Sequence, residues 1–486
     1  MGKEIRELEP KAVWNKFADL NAVPRPSKKE ERVIAFMVDF GKNLGLNTLV
    51  DEVGNVIIRK PATKGMEDRK TVILQSHLDM VHQKNNDTDF DFDTQGIAMY
   101  VDGDWVRAQG TTLGADNGLG VATIMAILES KDIPHPALEA LFTIDEETGM
   151  TGAKGLKGGL LEGEILLNLD TEEDDEIDIG CAGGVDITAK ANYKEEEVNA
   201  DTKAFIITVK GLSGGHSGMD IHKGLGNANK IMNTLISKAA DAVGVRIAEI
   251  NGGGLRNAIP RESTALVTLS AAEVGTFTEN FQGWVQSFSK EYAETEPSLT
   301  ITAQPAESPQ KVMGNKAQEQ LLHAIQEAHN GVYAMSSFME GLVETSNNIA
   351  SVVVKEGELK IACLTRSSVE AGKKELAASL KSVFEKAGYK VTLSGDYPGW
   401  DPNPDSAILK VMHAKYVDLF KEEPNVVACH AGLECGILGQ HYPEVDMISY
   451  GPTIRGAHSP DERASISSVQ KFWKYTLSIL EDIPKS

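Results

Sequence analysis

The chain reads as an α/β protein whose first domain is a mostly parallel sheet sandwiched by helices, with an α+β domain inserted into it. Three observations predict this. Apolar, β-branched runs without polar alternation occur in the first third, as in strands buried on both faces. The segment between two of them carries apolar residues at helical spacing. After Gly180, Gly183 and Gly184 the pattern changes to alternating strands, and near the carboxyl end it changes back.

Taken in order, the segment from Met1 to Leu20 (MGKEIRELEPKAVWNKFADL) reads as a charged amphipathic helix without an apolar signal core. Thr71 to Gln75 (TVILQ) is the first buried strand; LEALFTI, ending at Ile144, and EILLNL, ending at Leu169, follow. GLGVATIMAILES lies between the first two as a helix, giving the βαβ rhythm of a parallel sheet. AFIITVKG and TALVTLSA then alternate with helices such as NANKIMNTLISKAADAV, a pattern suited to a sheet with helices on one face. SLTITA, ELKIACLTRSS and the helix KKELAASLKSVFEKAG suggest a second half of this insertion. The Pro- and Gly-rich stretch Asp396 to Ser406 leads back, and VDMISYGP restores the first pattern. The expected boundaries are residues 1–184 and 399–486 for the first domain and 185–398 for the insertion.

Composition excludes several classes. Hydrophobic residues at 41% supply a sizeable core without crosslinks. Four scattered cysteines fit a reducing compartment, so a cytoplasmic protein is expected. No apolar stretch approaches the roughly 20 residues needed to cross a bilayer, so no membrane partner is expected. A formal net charge of −23 opposes nucleic-acid binding, which needs a basic face.

Clusters of His, Asp and Glu follow the apolar strands, where ligands gather in open α/β sheets. In Ser76-His77-Leu78-Asp79, the histidine and Asp79 lie two apart on an extended segment and face the same way. A carboxylate so placed can orient a metal-bound imidazole, although His-x-Asp also suits a hydrogen-bonded core histidine. Asp116, in GADNG, precedes the helix and is equally suited to cap it. Asp145-Glu146-Glu147 puts three carboxylates at a strand end, and Asp170 leaves the strand ending NLD. His458 lies in GPTIRGAHSPDE. One histidine and one carboxylate per ion, with a bridging carboxylate, would leave room for a water on two metals.

HLDM, GADNG, DEETG, NLD and GPTIRGAHSPDE stand in the order of the motifs of the di-zinc aminoacylase and carboxypeptidase superfamily, which the chain resembles. GCAGG, GLSGGHSGMDIHKGLGNAN, LRNAIP and HAGLECG resemble its aminoacyl-histidine dipeptidase branch. The resemblance covers nearly the whole chain. It implies a catalytic domain with a lid, and two Zn²⁺ per chain, with Co²⁺ or Mn²⁺ as substitutes. By it, His77 and Asp170 hold one ion, Glu147 and His458 the other, and Asp116 bridges both through a residue followed by a cis peptide. Asp79 orients His77, and Glu146 is the general base; spacing alone does not say which of Glu146 and Glu147 does which.

The same resemblance makes His216 an oxyanion donor from the lid, acting within its chain or across a homodimer. Asn257, in Arg256-Asn257-Ala258-Ile259-Pro260, would contact the substrate backbone. Arg366 would take the substrate carboxylate, a task suited to a guanidinium, although simpler relatives carry their arginine just after NxIP. Glu434, in HAGLECG, is a candidate for the substrate ammonium. The expected partner is a small dipeptide. A deacylase of N-acyl amino acids and a non-catalytic zinc-binding protein are the alternatives.

Overall fold

The computed structural model describes residues 4–85, 87–337 and 339–486. Two compact units emerge. The first comprises Met1–Cys181, Trp400–Ala428 and Leu433–Ser486; the second comprises Ala182–Gly399 and Cys429–Gly432.

In the first unit an eight-stranded sheet has four parallel strands at its centre: Leu138–Thr143, Val72–His77, Ile165–Asn168 and Asp446–Ser449. Every residue of these first three strands is buried, which is why their sequences lack polar alternation. Antiparallel strands Val56–Lys60 and Glu176–Cys181 flank the centre. The helix Ala115–Glu129 packs on this sheet and is apolar on nearly all sides. Close packing demands small residues: a Cβ on Gly120 would lie 2.4 Å from Ser76 Oγ and 2.7 Å from the Leu169 carbonyl. Asp116 and Asn117 have non-helical φ/ψ, so the regular helix starts after them.

A smaller four-stranded sheet joins Met99–Asp102, Trp105–Ala108, Arg463–Ser465 and Ile454–Arg455. Ile454 pairs with Ala464 and Arg455 with Arg463, so residues 456–462 form the loop of a hairpin.

The amino-terminal segment corrects one expectation. It is not a single helix: a 3₁₀ turn at Ile5–Glu7 is followed by Pro10, and the α-helix runs only over Lys11–Asn21. Proline has no N–H to donate to the preceding turn but is well placed at a helix start.

The second unit is a nine-stranded antiparallel sheet with a repeated plan. Strand Thr202–Lys210, helix Ala228–Val243, strands Arg246–Gly253 and Ser263–Ser270, helix Val274–Glu291 and strand Thr300–Ala306 form one βαββαβ set. Its spatial strand order is fourth, first, third, second. Strand Gly183–Asn192, helix Asn315–Glu327, strands Val343–Lys355 and Glu358–Ser367, helix Glu370–Lys386 and strand Lys390–Tyr397 form another set in the same spatial order. The second strands of the two sets, Arg246–Gly253 and Val343–Lys355, pair antiparallel and fuse the halves into one sheet. The helices, Phe384 among their residues, share one apolar core with the inward strand residues Phe205, Ile207, Val267 and Ile361. Full burial of each such side chain contributes about 1.5–3 kcal/mol.

Candidate active site

The strand ends of the first unit bring seven of the expected residues together. His77 closes the strand Val72–His77, Asp170 follows Ile165–Asn168, and Glu146 and Glu147 follow Leu138–Thr143. Asp116 stands at the start of its helix, and His458 lies in the hairpin loop with a left-handed φ of 63°.

Two donor groups share one carboxylate. His77 Nε2 is 3.1 Å from Asp116 Oδ1 and 3.5 Å from Asp170 Oδ1. His458 Nε2 is 3.1 Å from Asp116 Oδ2 and 3.0 Å from Glu147 Oε2. The two oxygens of Asp116 therefore belong to different groups, each with its own histidine and its own second carboxylate. Ligand atoms within each group lie within 4.8 Å of one another. Glu147 Oε1 is buried without a hydrogen-bond partner, and the donor set is imidazole and carboxylate throughout. This arrangement fits divalent cations with nitrogen and oxygen preference.

Asp79 is fully buried. Its carboxylate oxygen lies 3.4 Å from His77 Nδ1, and it accepts the backbone N–H groups of Glu146 at 3.0 Å and Glu147 at 3.3 Å. Asp79 thus meets the ring of one ligand, through its backbone carbonyl 3.1 Å from His77 Nδ1 as well as its carboxylate, and holds the turn that carries two more acids. The peptide bond between Asp116 and Asn117 is cis, and the Asn117 amide donates to Asp170.

Charge concentrates here. Burial pushes the Glu146 carboxyl well above the ordinary range, with Asp170, Glu147 and Glu434 adding to the effect. Burial and Asp116 raise Glu147, and burial raises Asp170. Hydrogen bonds to Asp116 and Glu147 lift the His458 imidazole to about 11. Burial alone would lower His77, but Asp170 and the hydrogen bonds to Asp116, Asp170 and Asp79 outweigh it and hold the imidazole well above its usual value.

Two further residues frame the site without having been singled out from the sequence. Glu462 is buried in the hairpin loop, and its carboxylate accepts the backbone N–H groups of Leu113, Gly114, Ala115 and Asp116 at 2.7, 3.0, 2.7 and 3.3 Å. Arg25, 1% exposed, donates to the carbonyls of Leu78 and Asp79 (both 3.1 Å) and of Gly114 (2.6 Å). Gly114, left-handed at φ 70°, makes room for this approach, since a Cβ there would lie 2.6 Å from the guanidinium. The loop before Asp116 is thus held by its N–H groups from one side and by a carbonyl from the other. Acceptors and donors that act on backbone leave little sequence signature. An arginine between two prolines (Pro24, Pro26) is the only mark the sequence carries here.

Glu434 is fully buried in this unit. Its Oε2 accepts from Gln75 Nε2 and Thr143 Oγ1, both at 2.6 Å; Oε1 is buried without a partner, and burial pushes the carboxyl to about 7.

The second unit brings together the other expected residues. His216 Nε2 is 3.5 Å from the Arg366 guanidinium, and Arg366 also donates to Tyr397 Oη at 2.9 Å. Asn257 lies in a turn whose carbonyl accepts the Ser217 N–H at 2.8 Å, and His216 bridges to Ala258. His430, buried beside them, bonds Ser346 Oγ at 2.8 Å. Burial, Arg366, His216 and His222 depress its imidazole to about 3, so it stands neutral.

An α/β sheet with a parallel centre, and imidazoles and carboxylates gathered at its strand ends, defines a metal-dependent hydrolase. The chain belongs to peptidase family M20/M25/M40, which residues 73–482 match. It is 42% identical over 481 residues to the cytosol non-specific dipeptidase of Escherichia coli K12, with 99% of each chain covered. It is similar to the crystal structure of aminoacylhistidine dipeptidase from Vibrio alginolyticus, with 42% identity, a TM-score of 0.92, and 100% and 99% of the two chains covered. Aminopeptidase PepT from Bacillus cereus shares the fold at 17% identity and a TM-score of 0.57, with 98% and 99% covered. The expected α/β class with an α+β lid agrees with these relatives. Among the described residues, no helix is long and apolar enough to cross a membrane.

Proposed function

We propose that the chain is a dipeptidase that uses two Zn²⁺ ions, the first held by His77 and Asp170, the second by Glu147 and His458, with Asp116 shared. The observation that carries this reading is the division of Asp116, whose Oδ1 meets His77 and whose Oδ2 meets His458. When bound, such ions supply Lewis acidity, which lowers the pKa of a shared water and polarises the scissile carbonyl. Co²⁺ and Mn²⁺ satisfy the same donors.

Glu146 is the proposed proton carrier. It takes a proton from the water oxygen as that oxygen forms the new bond to carbon, then gives it to the amine nitrogen as the C–N bond breaks. Its raised affinity for protons, caused first by burial, suits both halves of that task. Asp79 keeps His77 in one tautomer and holds the Glu146 turn in place.

In the second unit, the proposed lid, His216 would donate to the oxyanion, Asn257 to the substrate backbone and Arg366 to the substrate carboxylate. The approach of His216 to Arg366 across the two halves of one sheet supports their acting together on one substrate, within the chain or across a homodimer. Oxygen Oε1 of Glu434, which has no partner, is the proposed acceptor for the substrate ammonium. Dipeptides ending in histidine are proposed substrates because the Vibrio relative is named for them. A cytoplasmic location follows the name of the Escherichia relative, and a homodimer remains part of the proposal.

The test is hydrolysis of a dipeptide panel and of the N-acetylated and carboxyl-amidated forms, before and after exhaustive chelation. Free dipeptides should be cleaved, modified ones poorly, and all cleavage should stop on chelation and return with Zn²⁺ or Co²⁺. Cleavage of N-acetyl amino acids with free dipeptides untouched would replace the reading with a deacylase.

A further inference from the structure

Strand Val343–Lys355 carries four consecutive polar residues, Thr345 to Asn348, all 0–1% exposed. Polar groups enclosed in a core are kept only where they are bonded, and each of these has a partner. Ser346 bonds His430. Thr345 bonds Ser367 and Asn347 accepts from Thr365, so the residues on both sides of Arg366 are held. Asn348 does something more pointed. Its amide donates to the carbonyl of Arg256 at 3.1 Å and to that of Ala258 at 2.8 Å, the residues on either side of Asn257.

The Asn257 turn belongs to one half of the sheet and Asn348 to the other. The turn is in turn joined to the His216 loop, through Ser217 N–H to the Asn257 carbonyl at 2.8 Å and Ile259 N–H to the Gly215 carbonyl at 2.9 Å. Arg256 adds a second tie across the seam, donating to the carbonyls of Cys363 at 2.7 Å and Ile187 at 3.1 Å. Asn257 itself is exposed, with its side chain aimed by a backbone that other residues hold.

We infer that Asn348 is a positioning residue: by gripping both carbonyls around Asn257 it sets that side chain, and through the joined loop His216, in the geometry used on the substrate. The inference rests on the reading above that Asn257 and His216 meet the substrate. A side chain that positions others need never touch the reacting atoms, yet displacing them by about 1 Å can cost about 100-fold in rate.

The test is steady-state kinetics on the full chain with its metals loaded, comparing Asn348→Ala, Asn257→Ala, His216→Ala and the double variant Asn257→Ala/Asn348→Ala. Asn348→Ala should lower kcat/KM about 10- to 100-fold, chiefly in kcat, with metal content unchanged. It should weaken a phosphinate dipeptide analogue, which mimics the tetrahedral state, more than it weakens a product amino acid. Adding Asn348→Ala to Asn257→Ala should cost less than Asn348→Ala costs the parent, since only His216 would be left to position. Multiplying losses in the double variant, or equal weakening of analogue and product, would mark a merely structural asparagine and overturn the inference. If Asn348→Ala does not fold, Asn348→Ser carries the same measurements, because its hydroxyl is too short to span the two carbonyls. If Asn257→Ala and His216→Ala are both as active as the parent, the lid reading falls, and that outcome is distinct from a silent Asn348.

Discussion

On the proposed two-metal reading, replacing Glu462 with glutamine should loosen both ions at once. The carboxylate accepts four backbone N–H groups, two on each oxygen. An amide keeps one oxygen, so two donors lose their acceptor and face an NH₂ group instead. Each buried donor left bare costs about 1–3 kcal/mol, giving a ceiling of about 2–6 kcal/mol if nothing moves. The 113–116 loop will relax to avoid part of that cost, and any shift of the loop is a shift of Asp116. Outer-shell losses of this kind weaken metal binding about 10- to 100-fold, or about 1.4–2.7 kcal/mol. Because Asp116 gives one oxygen to each donor group, both ions should be affected, whereas Asp170→Asn should weaken one more than the other. Competition titration with a chromophoric chelator measures the two affinities, and calorimetry reports the unfolding of the same samples. Retention of both affinities within about twofold by Glu462→Gln, or the loss of a single ion, would refute this account of the loop.

Three further predictions follow from the same geometry. Glu146→Gln should keep both ions while kcat falls about 10²–10⁴-fold, and Glu147→Gln should lose affinity for one ion; metal analysis showing the reverse would exchange their roles. Arg366→Ala should raise KM for free dipeptides and erase their advantage over amidated ones, so an undiminished advantage in the variant would remove the carboxylate anchor. In the metal-free protein, burial raises Glu434 and Glu462 from 4.5 to about 7. A raised folded-state pKa gives stability that is complete below the unfolded value and lost as pH rises through about 7. Melting temperature should therefore be higher near pH 5 than near pH 8, and a rise with pH across that window would contradict the burial of these acids.

The fold class was legible because burial on both faces leaves an unmistakable mark: six consecutive enclosed residues at Val72–His77 cannot alternate. The order of the motifs likewise named residues that the fold gathers, from His77 to His458. What escaped has a common physical cause. Arg25 and Glu462 act on backbone groups, which every residue possesses, so no residue pattern marks their partners. The run Thr345 to Asn348 looks like an exposed strand, yet it is enclosed because each side chain meets a partner remote in sequence. Pro10 was the reverse case, a local signal that outranked the amphipathic pattern around it.

Metal binding should release protons, and the number follows from the histidines. Without metal, the His458 imidazole is held at about 11 by Asp116 and Glu147. His77 is held well above its ordinary value by Asp170, Asp116 and Asp79 despite its burial. Near pH 7 the His458 ring is therefore imidazolium, and the carboxylates around His77 bias its ring toward the same form. A histidine binds metal only as the neutral ring, so each ion must displace at least one proton. The carboxyls of Glu147 and Asp170, raised mainly by burial, can only add to that number. The product of the two association constants should accordingly rise by about two powers of ten per pH unit around neutrality. Calorimetric titration with Zn²⁺ in buffers of different ionisation enthalpy counts the protons directly. Release of fewer than one per ion, with affinities flat across this range, would mean that the rings are already neutral. The carboxylates would then not hold the histidines as their distances imply.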